Sequence, residues 1–310
     1  MKTTNRYFFS FSLFSLMAIV ILTSCEKAIF DDDKPIVQGQ KANLILKVQV
    51  TDDLQMGITR SDASYWGRIS FVAYQGGKKV KSVTQMRGDD GYGEAAMQLS
   101  PGAYQVLVLA HSSNGNPTLS TAEKIPFTNA IGYTDTFFAY QDITVSTEVQ
   151  EHAITLERVT AMLRFIINDA MPQNVKTMKF YYTGGSGALN ANTGLGCVAS
   201  QQTVNIDADP TAGTPYTFEL YTIPREVTAA LNLTVTAYDG SGNVITEKII
   251  KGVAIERNKI TELSGDFFTN ANGDDDHGDN GGGGDNGATT SASFLISAST
   301  EWAGVIRTNY

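Results

Sequence analysis

The chain has 310 residues, 42% of them hydrophobic and 10% aromatic, which is enough apolar material to bury a substantial core. Its formal net charge of -9 and isoelectric point near 4.8 exclude nucleic acid as a partner held by basic charge. With Cys25 and Cys197 its only cysteines, the chain has no disulfide framework, and a folded body here depends on packing alone.

The first residues address the compartment. Lys2 and Arg6 precede an apolar run from Phe8 to Leu22, and Leu22-Thr23-Ser24-Cys25 then has the form of a bacterial lipobox. The run is shorter than the ~20 apolar residues a spanning helix takes, so residues 1–24 read as a lipoprotein signal peptide cut before Cys25. Acyl chains on Cys25 then form the attachment to the membrane. The competing reading is an ordinary signal peptide followed by a coincidental cysteine; leucine at -3 and serine at -1 favour the lipobox.

Residues 25–60 read as a tether and a first strand. Glu26 to Gln40 is acidic and polar, with Asp31, Asp32, Asp33 and Pro35. From Ala42 to Val50 the chain alternates: Leu44, Leu46, Val48 and Val50 share one face, with Asn43, Lys47 and Gln49 on the other. A polar turn follows and closes at Arg60-Ser61, a bond open to a trypsin-like protease.

From Arg68 onward almost every segment alternates. Arg68 to Tyr74 and Lys79 to Met86 flank Gln75-Gly76-Gly77-Lys78, a hairpin signal. Glu94 to Leu99 leads through Ser100-Pro101-Gly102 into Ala103 to Ala110, which is apolar on both faces and therefore expected in the middle of a sheet. Phe137 to Val145 is another strand, and Glu148 to His152 reads as a polar break. Ala161 to Ile167, Lys176 to Thr183, Tyr216 to Ile223, Leu231 to Tyr238, Val244 to Ile250 and Lys259 to Phe268 continue the pattern. Turn signals recur at the spacing of sandwiches, and no segment has the period of an amphipathic helix. The expectation is an all-β fold of two tandem β-sandwich domains, 61–150 and 151–269.

Residues 270–288, rich in glycine and aspartate, read as a flexible linker, and 289–310 resumes strand-like alternation with Phe294, Ile296 and Trp302. Phe294 and Ile296 repeat the alternation of Ala42–Val50, so two terminal strands of like character compete for one groove. Cys197, in an apolar run, reads as a small buried residue.

Templates for chemistry fail. His111, His152 and His277 are dispersed, and neither a zinc-protease motif nor a nucleophile elbow occurs. The glycines at 184–187 and 281–284 lack the lysine of a phosphate cradle and read as loops, and the linker acids do not have EF-hand spacing. No catalytic residue, metal site or cofactor is expected.

The order of these features resembles the fimbrillin family of Bacteroidetes, the type V pilins. The lipobox, the acidic tether, the strand Ala42–Val50, the turn at Arg60 and Ile69-Ser-Phe-Val-Ala-Tyr74 carry the likeness. So do Leu99-Ser-Pro-Gly-Ala-Tyr104, Ile154-Thr-Leu-Glu-Arg158 and Lys179-Phe-Tyr-Tyr-Thr-Gly-Gly-Ser186. The resemblance implies two transthyretin-like sandwiches, a lipid on Cys25, and cleavage at Arg60-Ser61 by an arginine-specific protease. It implies a removable first strand bearing Leu44, Leu46, Val48 and Val50, and a donor strand in 289–310 bearing Phe294, Ile296 and Trp302. Partners would be other fimbrial subunits, like or unlike, and the outer membrane, with the protein surface-exposed in a fimbrium that supports adhesion. The alternative is a monomeric surface lipoprotein that holds polysaccharide on exposed aromatics such as Trp66, Trp302 or Tyr133.

Overall fold

Alternation becomes strand wherever a facing sheet covers the apolar side, and here that happens twice along the chain. The computed structural model describes residues 41–49 and 66–269, and these contain strands, turns and loops but no helix. The first set is β1 (Leu44–Gln49), β2 (Arg68–Gln75), β3 (Lys78–Met86), β4 (Glu94–Met97), β5 (Gly102–His111), β6 (Ile125–Pro126), β7 (Phe137–Val145), β8 (Gln150–Thr155) and β9 (Glu157–Arg158). A three-stranded sheet, β4-β1-β8, faces a five-stranded one, β3-β2-β5-β7-β9. Leu44, Leu46, Met97 and Ile154 from the smaller sheet meet Ile69, Phe71, Val106, Val108 and Phe137 from the larger, forming one core.

The second set is β10 (Ala161–Ile167), β11 (Val175–Thr183), β12 (Ala188–Asn190), β13 (Leu195–Gly196), β14 (Gln202–Asp207), β15 (Tyr216–Thr222), β16 (Thr228–Asp239), β17 (Val244–Glu256) and β18 (Ile260–Gly265). Its sheets are β15-β10-β18 and β14-β11-β16-β17. The expected inward residues Leu163, Phe165, Phe180, Tyr182, Leu233 and Val235 fill the core between them.

The two sets repeat one topology. In each, the first strand lies in the middle of the three-stranded sheet, antiparallel to one neighbour and parallel to the other: β1 between β4 and β8, β10 between β15 and β18. In each, the second strand lies inside the larger sheet, β2 between β3 and β5 and β11 between β14 and β16, giving β3-β2-β5-β7 and β14-β11-β16-β17.

Two segments differ from the sequence expectation. Gln150–Thr155 is a strand, not a break: its polar residues lie on an edge open to water, while Ile154 turns into the core beside β1. The Pro101-Gly102 turn is not the tip of a hairpin; it carries the chain from the sheet of β4 to the sheet of β5. β5 is central and apolar on both faces for a specific reason. Val106 and Val108 point into the sandwich, whereas Leu107 and Leu109 join Val72 and Tyr74 in a second cluster with Ile125, Leu189 and Ile223. The pairing of Leu189 with Ile125 runs through that cluster and ties the two sets together.

Candidate functional site

β1 is the part of the fold whose position is hardest to reconcile with its place in the sequence. It is central in its sheet, paired from Leu44↔Met97 to Lys47↔Glu94 on one side and from Leu44↔Gln150 to Gln49↔Thr155 on the other. Leu44 and Leu46 are fully buried, and Val48 packs partly against the same core. Burying the two leucines alone stabilises the assembly by roughly 3–6 kcal/mol. β1 is also linked covalently to the rest of the sandwich only through residues 50–65, so one broken bond there leaves a core strand held by non-covalent contacts alone. β10, its counterpart, is continuous with β9 before it and β11 after it.

The groove that holds β1 is polar at its ends and apolar along its floor. Buried Asn43 Nδ2 donates to Leu99 O at 2.9 Å and to Ser146 O at 2.8 Å, and its Oδ1 accepts from Leu99 N at 2.9 Å. Its own backbone N–H donates to Met97 O, and its carbonyl accepts from Gln150 N. At the far end, Val48 N donates to Gly93 O at 2.9 Å. On the outer face Lys47 Nζ lies 2.9 Å from Glu151 and 3.8 Å from Glu94. The hydrogen bond to Glu151 and the charge of both carboxylates hold its ammonium above the usual lysine range.

The wall at Gly93 is built by side chains that sequence reasoning missed. Gln85 Nε2 donates to Gly91 O and Glu94 O, and its Oε1 accepts from Gly93 N at 2.9 Å. Tyr92 OH and Arg87 Nε both donate to the carbonyl of Trp66, at 2.6 and 3.0 Å. Burial raises the Tyr92 phenol to about 12. Trp66 is where the described chain resumes. It is buried and stands edge-on to Phe137 at 5.1 Å, within the same core as β1.

This placement corrects the reading of Trp66 as an exposed sugar platform: its ring is core. Tyr133 is half-buried and stacks on Phe127. Cys197, expected to be buried, is exposed: it follows the short strand β13 and its side chain belongs to none of the core clusters, with its backbone N–H donating to Ala188 O. Cys25, Val50, Arg60, Ser61, His277, Phe294, Ile296 and Trp302 lie outside the described residues. The described chain ends at Thr269 against Asp169, whose carboxylate accepts from the backbone N–H groups of Phe267, Phe268 and Thr269. Burial pulls that carboxyl upward, but the three N–H groups outweigh it and hold it below the usual range. Among the described residues no group of histidine, cysteine and acidic side chains is arranged to hold a metal.

The model of the family of fimbrillin-A associated anchor proteins Mfa1 and Mfa2 matches residues 31–280. The chain belongs to this family. Membership makes it a fimbrial, surface-associated protein. Solved structures similar to this family member include a candidate adhesin from Bacteroides ovatus, 16% identical, covering 68% of this chain and 82% of that one with a TM-score of 0.48. A candidate polysaccharide-binding protein from Bacteroides thetaiotaomicron is 15% identical over 73% of this chain and 92% of its own, with a TM-score of 0.47. The fimbrial anchor protein Mfa2 from Porphyromonas gingivalis is 12% identical over 71% of this chain and 89% of its own, with a TM-score of 0.42. No curated protein matches the chain.

Proposed function

We propose that this fimbrial protein is exported as a lipoprotein through Cys25 and joins a fimbria at the outer membrane by exchanging its first strand. A central, buried strand severable from the sandwich by one cut between Gln49 and Trp66 is the observation that carries the reading. An arginine-specific protease acting at Arg60-Ser61 removes Leu44, Leu46, Val48 and Val50 with the tether and opens both edges of the groove. A strand from another fimbrial subunit then adds between β4 and β8. Residues 289–310, with Phe294, Ile296 and Trp302, are the strand this protein offers in turn, on the 270–288 linker. While β1 stays tethered, its effective concentration is of order mM, so exchange waits for the cut. The protein needs no cofactor and catalyses nothing.

The test treats the protein from residue 25 onward with an arginine-specific protease, reads the new N-terminus, and runs the product unheated on a denaturing gel beside Arg60→Ala. A start at Ser61 with species larger than the monomer, absent from the Arg60→Ala sample, supports the reading. An uncut monomer, or a cut one that stays single with its partners present, contradicts it.

A further inference from the structure

The groove is not a generic apolar slot. At one end it presents two carbonyls, Leu99 O and Ser146 O, and one N–H, Leu99 N, all met by the amide of Asn43. Only a side-chain amide supplies two donors and an acceptor in that span. A carboxylate would set its oxygens against two carbonyls, and an apolar residue would leave all three groups buried without a partner. Four residues on, the outer face presents Glu94 and Glu151 to Lys47. That exposed pair adds little stability, but an acid in its place would gather three carboxylates, so its effect is discrimination.

We infer that the groove selects its occupant by this pattern: asparagine, then apolar residues at the first, third and fifth places after it, with a cation at the fourth. In this sequence β1 alone meets it, as Asn43, Leu44, Leu46, Lys47 and Val48. The segment 289–310 does not. Its one cation is Arg307, and four places before it stands Ala303 where the amide would have to be. Its alternating stretch puts Ser291 at the amide position and Leu295 at the cation position when Ala292 and Phe294 take the buried sites. The occupant that replaces β1 is therefore an extended segment of a different protein bearing the amide and the cation, and the 289–310 segment of a second copy of this chain is refused. The groove thereby makes assembly heteromeric at this joint. The inference rests on the strand-exchange reading above.

The test uses the whole chain with a site-specific protease site placed within residues 50–65, cut and kept folded. Fluorescent peptides are added and their capture is followed by polarisation. The probes are the sequence 41–50, the same peptide with Asn43→Leu, the same with Lys47→Glu, and the sequence 289–310. The unsubstituted peptide should exchange. Asn43→Leu should bind at least ~30-fold more weakly because buried groups lose their partners. Lys47→Glu should bind ~5-fold more weakly at low salt, with the difference shrinking as salt rises, and 289–310 should not compete. Equal capture of all four peptides would overturn the pattern while leaving strand exchange standing. Failure of even the unsubstituted peptide on a folded, cut chain would overturn both.

Discussion

The side-chain amide of Asn43 closes a two-way bond with the backbone of Leu99, donating to its carbonyl and accepting from its N–H, each at 2.9 Å across 56 residues of sequence. The contact fixes the register of β1 against β4, because a slip of one residue would take the amide off both groups and turn Leu44 and Leu46 to the outer face. Asn43→Ala should therefore destabilise the first sandwich by about 2–4 kcal/mol through buried groups left without partners. Asn43→Asp should do no better, since a carboxylate cannot donate to Leu99 O or Ser146 O. Urea unfolding followed by Trp66 fluorescence, with its ring in that core, measures the shift.

Leu46 is fully buried in the same core, while Val80 on the edge strand β3 is 47% exposed. Leu46→Ala should cost about 2–5 kcal/mol, as large-to-small core changes do, and Val80→Ala less than about 0.5 kcal/mol. In a chain cut between β1 and β2, Leu46→Ala should also speed the departure of the first strand. Denaturant titration of both variants and a mass-resolved release assay check the two parts.

Much of this was legible in the sequence, and what was not has physical causes. Strands such as Ala161–Ile167 and Leu231–Ala237 announce themselves because one face is apolar at period two. The Gly76-Gly77 hairpin does so because both residues take positive φ, 58° and 76°, as its tight turn requires. Gln150–Thr155 was missed because an edge strand with one wet face carries glutamine, glutamate and histidine. The glycines at 184–187 read as loop and lie between β11 and β12, but their packing was not legible: a Cβ on Gly184 would collide with Ala230 O, and the segment surrounds a buried serine, Ser186, whose single hydroxyl proton is shared between Val198 O at 2.8 Å and Ala188 O at 2.7 Å. Close packing of backbone leaves no trace in a pattern of apolar residues. Asn43 looked like an outer-face residue because its partners, Leu99 and Ser146, are distant in sequence.

His111 offers a pH-dependent readout of the first sandwich. It is fully buried, with Ser113 N donating to Nδ1 at 3.2 Å and Asn116 Oδ1 3.4 Å from Nε2. Burial lowers its pKa to about 4, against the pull of the Asn116 hydrogen bond and with help from the Arg68 charge. The unfolded chain takes up this proton near pH 6.5, before the folded one does, so folded stability falls as pH drops from about 6.5 to about 4. The loss from this group should total about 3 kcal/mol. Urea midpoints measured across that range should slope downward toward acid, and His111→Gln should flatten the slope.

The central claim is that β1 completes the first sandwich and that its removal opens a groove. Hydrogen–deuterium exchange over Glu94–Met97 and Gln150–Thr155 tests it most directly, since Gln150 N donates to the carbonyl of Asn43 on β1. These amides should be protected in the intact chain, exchange rapidly once the chain is cut and β1 washed away, and regain protection when a peptide of the β1 sequence is added. Protection that persists in a folded body without β1 would contradict the account.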